Sequence, residues 1–286
     1  MQKVENMYSE LIRKEALRRG FSPRTIKTYC FCVEKFLSFY RNKELKCITK
    51  KDVQEYFDRF VEKGRPGNTI NVHLNAVKFF FEEVLRKRLT VSITYSKTPR
   101  RLPEFLTKDE VVRLLASISN KKHTLMVTLL YATGMRVGEL VSLRVRDFEF
   151  NQNYGWVRQG KGRKDRLFII PQKLKSELLD WIEKQKLDPD NWLFTGFGTD
   201  HISTATIQAI IKEAARKTKI CKNVHPHTMR HSFATHLIQN GYAVTEVQPL
   251  LGHSSLQTTM IYLHMAAPEL LRIKSPYDAL EEIKPT

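Results

Sequence analysis

The chain has 286 residues, 42% of them apolar and 10% aromatic, with 48 Lys and Arg against 30 Asp and Glu, a formal charge of +18. That length suits two domains, and that apolar content excludes a disordered chain. No apolar run approaches the ~18 residues that span a bilayer, no signal peptide opens the chain, and Cys30, Cys32, Cys47 and Cys221 have neither zinc nor disulfide spacing, so a cytoplasmic protein with reduced thiols is expected. Residues 1–88 hold 20 basic and 11 acidic side chains, and each of the two parts divided there carries +9. Charge spread in this way suits two modules gripping one polyanion, nucleic acid above all; a lysine-rich solvated surface is the plain alternative.

Val4, Met7, Tyr8, Leu11 and Ile12 lie at helical spacing, with Gly20 as a stop. Ser22-Pro23 supplies an N-cap and a first-turn proline to a second helix striped with Ile26, Tyr29, Val33, Phe36, Leu37 and Tyr40. Thr49 caps a third, carrying Val53, Tyr56, Phe57 and Phe60. Gly64-Arg65-Pro66-Gly67 breaks the chain, and Asn68-Thr69 opens a fourth with Ile70, Leu74, Val77, Phe80, Phe81 and Val84. The pattern predicts a small four-helix domain over 1–88 whose aromatic stripes are core.

Residues 89–104, with Thr-Pro-Arg-Arg-Leu-Pro at 98–103, have no period and form the expected linker. A second domain, 105–286, opens on the capping box Thr107–Glu110. Helical signals run through Leu125–Thr133 and stop at Gly134. A β segment follows: Phe148 and Phe150, a turn at Asn151–Asn153, Tyr154–Arg158, a turn across Gln159–Lys164, then Arg166–Ile170. Helices return over Leu174–Lys186, Ile207–Lys217 and His227–Gln239, with a shorter one before Gly252. The expected fold is mainly α with one small antiparallel β-sheet.

Three segments carry chemistry. In Thr133-Gly134-Met135-Arg136-Val137-Gly138-Glu139, the glycine can end one helix and set Arg136 in the first turn of the next, where anions bind. Glu139 can brace that guanidinium, although an Arg-x-x-Glu pair alone reads as a surface ion pair. In His225-Pro226-His227-Thr228-Met229-Arg230-His231, a helix starting near Pro226 puts His227 and Arg230 on one face. The third runs Leu250-Leu251-Gly252-His253-Ser254 and on to Tyr262. His227 and His231 have an i,i+4 spacing that can ligate zinc, but no glutamate or cysteine completes a site and Arg230 adds charge, so no metal is expected.

In this order the segments resemble the tyrosine recombinase, or phage integrase, family, whose signature is Arg…Lys…His-x-x-Arg…His…Tyr. TGMRVGELVSL, GKGRKDRLFIIP, HTMRHSFATHL and LLGHSSLQTTMIYLH all read as its phrases, and residues 1–88 are similar to its helical core-binding domain. The compact length points to the Xer-type branch, which resolves chromosome dimers. The resemblance implies an N-terminal four-helix core-binding domain and a C-terminal α+β catalytic domain. It implies that Arg136 and Arg230 hold the scissile phosphate, that His227 and His253 bond and transfer protons there, and that Tyr262 is the nucleophile. Lys161, with Lys164 three residues on, matches the lysine that protonates the leaving 5′-oxygen, and Glu139 matches a supporting acidic position. Pro249 departs from the family pattern and is expected to tighten or reset the helix start before Gly252, which bears on the placement of His253.

The implied reaction is transesterification. A phenol with pKa near 10 needs a base and a positive field, and two arginines can grip the non-bridging oxygens where lysine lacks the planar fork. A 3′-phosphotyrosyl link conserves the phosphodiester energy, so neither ATP, metal nor other cofactor is expected. The implied partners are a double-stranded recombination site and three further copies in a tetramer on two duplexes. The tail, with Leu270, Leu271, Ile273 and Leu280, docks on a neighbour or folds back. A plasmid or phage integrase, a type IB topoisomerase and a non-catalytic architectural DNA-binding protein are the competing functions, and nucleoid association in the cytoplasm is the expected location.

Overall fold

The computed structural model describes residues 2–89, 94–96, 102–158, 165–196, 198, 200–253 and 255–265. Lys161, Lys164, much of the expected linker and the tail beyond Met265 lie outside the described residues. The chain divides into two compact units, Met1–Arg101 and Leu102–Thr286. No helix among the described residues is long and apolar enough to cross a membrane.

The first unit holds α1 (Gln2–Arg18), α2 (Pro23–Phe39), α3 (Lys50–Glu62) and α4 (Gly67–Lys78). Ser22 Oγ accepts the Thr25 amide at 3.1 Å, so α2 starts where its proline fits. Thr49 and Asp52 cap α3 reciprocally. The stripes of α2, α3 and α4 converge on Phe36, whose ring stands edge-on to Tyr56 (5.0 Å) and Phe81 (5.5 Å).

The fourth helix departs from expectation at both ends. It begins at Gly67, capped by Pro66, and continues as a π-helical turn over Phe79–Val84. The Leu85 amide reaches back five residues to the Phe80 carbonyl at 3.0 Å. Three successive residues of an α-helix fan over about 200°. The wider turn rephases the chain, and Phe79, Phe80 and Phe81 are all buried.

The second unit runs α5 (Lys108–Ala116), α6 (Lys121–Thr133), α7 (Val137–Val141), β1 (Phe148–Glu149), β2 (Tyr154–Val157), β3 (Arg166–Ile169), α8 (Gln172–Lys184), α9 (Thr204–Lys217), α10 (Pro226–Gln239), α11 (Val244–Leu251) and α12 (Leu256–Met265). Helix α6 is buried through Leu125, Met126, Val127, Leu129 and Leu130, which makes it the spine of the core. The strands form an antiparallel sheet in the order β1-β2-β3, with Gly155 opposite Phe168 and Val157 opposite Arg166. A Cβ at Gly155 would come 2.3 Å from the Phe168 ring, so the glycine admits that ring to the core face. Strand alternation puts Phe168 inward and Leu167 and Ile169 outward, and it also puts Arg166 inward.

Candidate active site

Helix α6 ends at Gly134, whose φ of +60° closes the last turn. A Cβ there would lie 2.2 Å from the Phe233 ring on α10, so glycine is required by backbone and packing alike. The tight turn carries Arg136 to the N-cap of α7, one position before the first helical turn in which the sequence placed it. Arg136 is half-buried and its Nη1 lies 2.7 Å from Glu139 Oε1.

Glu139 is more than a surface brace. It is buried, and its Oε2 accepts both the Arg136 amide (2.8 Å) and Nη2 of Arg166 (2.7 Å). Arg166, itself buried at the start of β3, also donates from Nη1 to the Leu250 carbonyl at the end of α11. Its Nε has no partner among the described residues. One carboxylate therefore ties the Arg136 turn to the sheet, and one guanidinium ties the sheet to the loop that bears His253.

Helix α10 is capped by His225, with Pro226 at its first position, and it presents His227, Arg230 and His231 on one face. Arg230 is 3% exposed. It donates from Nη1 to the Gly134 carbonyl (2.7 Å), and from Nη2 to the Leu251 carbonyl and to His253 Nε2 (3.0 Å). Guanidinium only donates, so His253 Nε2 accepts and Nδ1 carries the proton, which goes to Thr259 Oγ1 at 2.9 Å.

Pro249 sits inside α11, not at its start, and the helix runs through it to Leu251. The proline deletes one amide, the partner of the carbonyl four residues earlier. Gly252 then takes φ +60°; its amide bonds Pro249 O (3.0 Å) and the His253 amide bonds Gln248 O (3.3 Å). That paired closure fixes the turn, so the proline leaves His253 against Arg230.

Tyr262, on α12, is 1% exposed. Its hydroxyl lies 3.1 Å from His231 Nδ1, and its ring is nearly parallel to that of His253 (6.2 Å, 13°). Five of the six residues that the sequence nominates, Arg136, His227, Arg230, His253 and Tyr262, thus belong to one unit. Arg230 bonds His253, and His253 stacks on Tyr262, while His227 is exposed at the start of α10 beside Arg230. Lys161 is the sixth and falls outside the described residues.

Burial governs the ionisation of this cluster. It pushes His231 and His253 each down to about 4, reinforced at His231 by His227, His225 and Arg230, and at His253 by Arg230 and Arg136. His227, exposed yet partly withdrawn from water on one side, is lowered too, by that desolvation and by repulsion from His225, Arg230 and Arg136. Burial raises Tyr262, partly opposed by Arg230, and lowers Arg230 to about 10, with Arg136 and Arg166 adding repulsion. Glu139 stays below its ordinary value: burial alone raises it, but Arg166 and the bonds from Arg136 prevail.

Histidines held neutral below pH 6.5 bind protons more readily once unfolded, so their stabilisation is complete above about pH 6.5 and is lost as pH falls toward 4. The paired carboxylates act in a lower window. The three tryptophans, Trp156, Trp181 and Trp192, all lie in the second unit and report on it alone. Their melting transition is expected to fall between pH 7 and 5, and to flatten in His231→Asn and His253→Asn. A transition constant across that range would contradict the buried neutral imidazoles.

The phage integrase family model matches residues 104–269, and the model of the phage integrase N-terminal SAM-like domain matches residues 9–91. The chain belongs to the phage integrase family. Members of this family of tyrosine recombinases cut and rejoin DNA strands, and the chain is an enzyme of that kind. A tyrosine recombinase of Thermosipho africanus is 35% identical over 282 residues, 94% of this chain and 97% of its own. Tyrosine recombinase XerA of Pyrococcus furiosus is 35% identical over 269 residues, 92% and 91% of the two chains. The crystal structure of XerH recombinase bound to palindromic difH substrate superposes with a TM-score of 0.71 over 95% of this chain and 85% of its own, at 24% identity, a likeness of fold.

Two members of the integrase site escaped the sequence reading. Arg166 announces itself only by phase: it is in step with the buried Phe168 on β3 and with Ile170 just after it. His231 was weighed as a zinc ligand and not as the partner of Tyr262, because nothing local relates residues 31 apart.

Proposed function

We propose that the enzyme is a Xer-type recombinase that acts at a dif-like chromosomal site through a 3′-phosphotyrosine on Tyr262. The observation that carries the proposal is the grouping of Arg136, Arg230, His253 and Tyr262, linked by the bond from Arg230 to His253 and the stacking of His253 on Tyr262, with Glu139 held between Arg136 and Arg166. The Tyr262 oxygen attacks phosphorus as its hydroxyl proton passes to a neutral imidazole of the site, the bond from phosphorus to the 5′-oxygen breaks, and Lys161 supplies the proton that the leaving alkoxide needs. Arg136 and Arg230 hold the non-bridging oxygens, with His227 and His253 bonding them, and each such donor is worth ~3–4 kcal/mol of transition-state stabilisation. Rejoining is the same displacement in reverse, with the 5′-hydroxyl of either duplex as nucleophile.

The branch assignment draws on relatives named XerA and XerD. It carries with it a double-stranded recombination site, a tetramer on two duplexes with the C-terminal tail docking between protomers, and a cytoplasmic, nucleoid-associated location. Residues 1–88 serve as the core-binding domain, 89–104 as linker and 105–286 as catalytic domain. The test is covalent capture: incubate the protein with sheared genomic DNA of its source, isolate protein-linked fragments, and map both the DNA and the modified peptide. A nucleotide remnant on Tyr262 and enrichment of one chromosomal locus are expected. A remnant on another residue overturns the nucleophile, and enrichment of plasmid or phage junctions overturns the chromosomal role.

A further inference from the structure

Tyr262 needs more than burial to be useful as a nucleophile, because a phenol on a helix can still turn its hydroxyl hydrogen toward or away from the reacting phosphorus. Three imidazoles stand near it, from His227, His231 and His253. Both nitrogens of His253 are engaged, with Arg230 and with Thr259. His227 lies beyond the ring of His231, their centroids 6.4 Å apart. Among the described residues, the imidazole within hydrogen-bond reach of the phenol is that of His231, at 3.1 Å, its ring 5.7 Å from the tyrosine ring.

We infer that His231 is a further catalytic residue, which accepts the Tyr262 hydroxyl hydrogen at Nδ1 and so holds the phenol with its lone pairs turned toward the phosphate site. This rests on the reading of Tyr262 as nucleophile. The direction of the bond follows from the surroundings. Next to Arg230, with His225 and His227 on the same end of α10, the ring is kept uncharged, so one of its nitrogens is an acceptor. If Nδ1 donated instead, it would occupy an oxygen lone pair required for attack. With burial holding the imidazole near 4 and pushing the phenol up, the proton remains on oxygen in the absence of DNA. His231 therefore orients the neutral nucleophile before DNA arrives, and takes up the hydroxyl hydrogen only as the oxygen–phosphorus bond forms. The helix makes the arrangement economical: the residue directly after Arg230 shares its turn, so the phosphate grip and the phenol's holder move as one body.

The test is single-turnover formation of covalent complex on a nicked suicide duplex, with DNA affinity measured separately. His231→Leu keeps the bulk and removes the acceptor, and is expected to slow capture about tenfold, the worth of one ordinary hydrogen bond, with affinity within about twofold. His231→Asn puts an amide oxygen near the Nδ1 position and is expected to recover most of the rate. A residue needed only for packing would give the opposite order, with leucine tolerated and asparagine harmful. That order, or two variants as fast as the parent, overturns the assignment. Melting without DNA gives a reading independent of cleavage: Tyr262→Phe and His231→Leu are expected to be non-additive, and strict additivity rejects the bond. Peptide mapping of the parent adduct keeps the two failures apart, since an adduct elsewhere removes the nucleophile while leaving the melting cycle to judge the pair.

Discussion

Tyr262→Phe will bind DNA as the parent does and form no covalent adduct. The substitution removes one oxygen and leaves the ring, which fills the space between α10, α11 and α12 beside Ala234, Val247 and Leu251. The cost to folding is the bond to His231 and the acceptor left unpaired there, ~1–3 kcal/mol against the ~5–15 kcal/mol typical of a domain. The fold therefore survives, and relief of a buried phenol offsets part of the loss. Phosphate binding survives as well, because Arg136 and Arg230 take their positions from Glu139 and from the Gly134 and Leu251 carbonyls, not from the phenol. Cleavage has no substitute: the substitution removes the attacking oxygen, and both nitrogens of the stacked His253 are engaged, with Arg230 and with Thr259. Gel mobility shift at matched concentration should be unchanged, while the detergent-stable band disappears. An adduct that persists in this variant would reject the tyrosine and with it the reaction class assigned to the site.

Much of the architecture was legible because it rests on local signals. Ser22-Pro23, Thr49 with Asp52, and Thr107 with Glu110 start helices where their side chains satisfy free amides, and Gly134 and Gly252 end them in the left-handed conformation that glycine adopts without a Cβ penalty. The period-two strands themselves are legible from their β-branched and aromatic residues, but which face of β3 is buried is not, since Leu167 and Ile169 point outward and Arg166 inward. What was not legible depends on contacts made after the helices pack. The π turn at Phe79–Val84 exists because three adjacent rings find one core, a fact of α1, α2 and α4 together. Pro249 reads locally as a helix start, yet α11 tolerates it because Gly252 and His253 close the turn onto the carbonyls before it. Arg166 reads as a surface cation on any composition argument. Only the pairing of Val157 with Arg166 and the burial of Glu139 turn it into an interior group.

Arg166→Met is expected to destabilise the second unit by about 3 kcal/mol and to slow cleavage beyond what that loss of stability accounts for. Removing one partner of a buried pair generally costs ~3–5 kcal/mol, because the other charge is left in a poor solvent. The lower end applies here, since Arg136 still faces Glu139 at 2.7 Å and keeps it ionised. Arg166 is also not ideally satisfied: its buried Nε lacks a partner among the described residues, so the wild-type pair is itself strained in solvation. Methionine fills the channel against Gly252, where a Cβ would already touch the arginine Cδ at 2.6 Å, and it leaves the Leu250 carbonyl without its donor. That carbonyl belongs to the turn that presents His253 to Arg230, so the geometry of the phosphate site loosens even in molecules that stay folded. Arg166→Lys keeps the charge but not the fork that reaches Glu139 and Leu250 at once, and it should fall between parent and methionine. Denaturant unfolding followed by tryptophan fluorescence measures the first effect, and covalent capture at saturating DNA measures the second. A methionine variant within about 1 kcal/mol of the parent would contradict the energetic role; one that cleaves at the parent rate would show that the His253 turn holds its shape without the arginine beneath it.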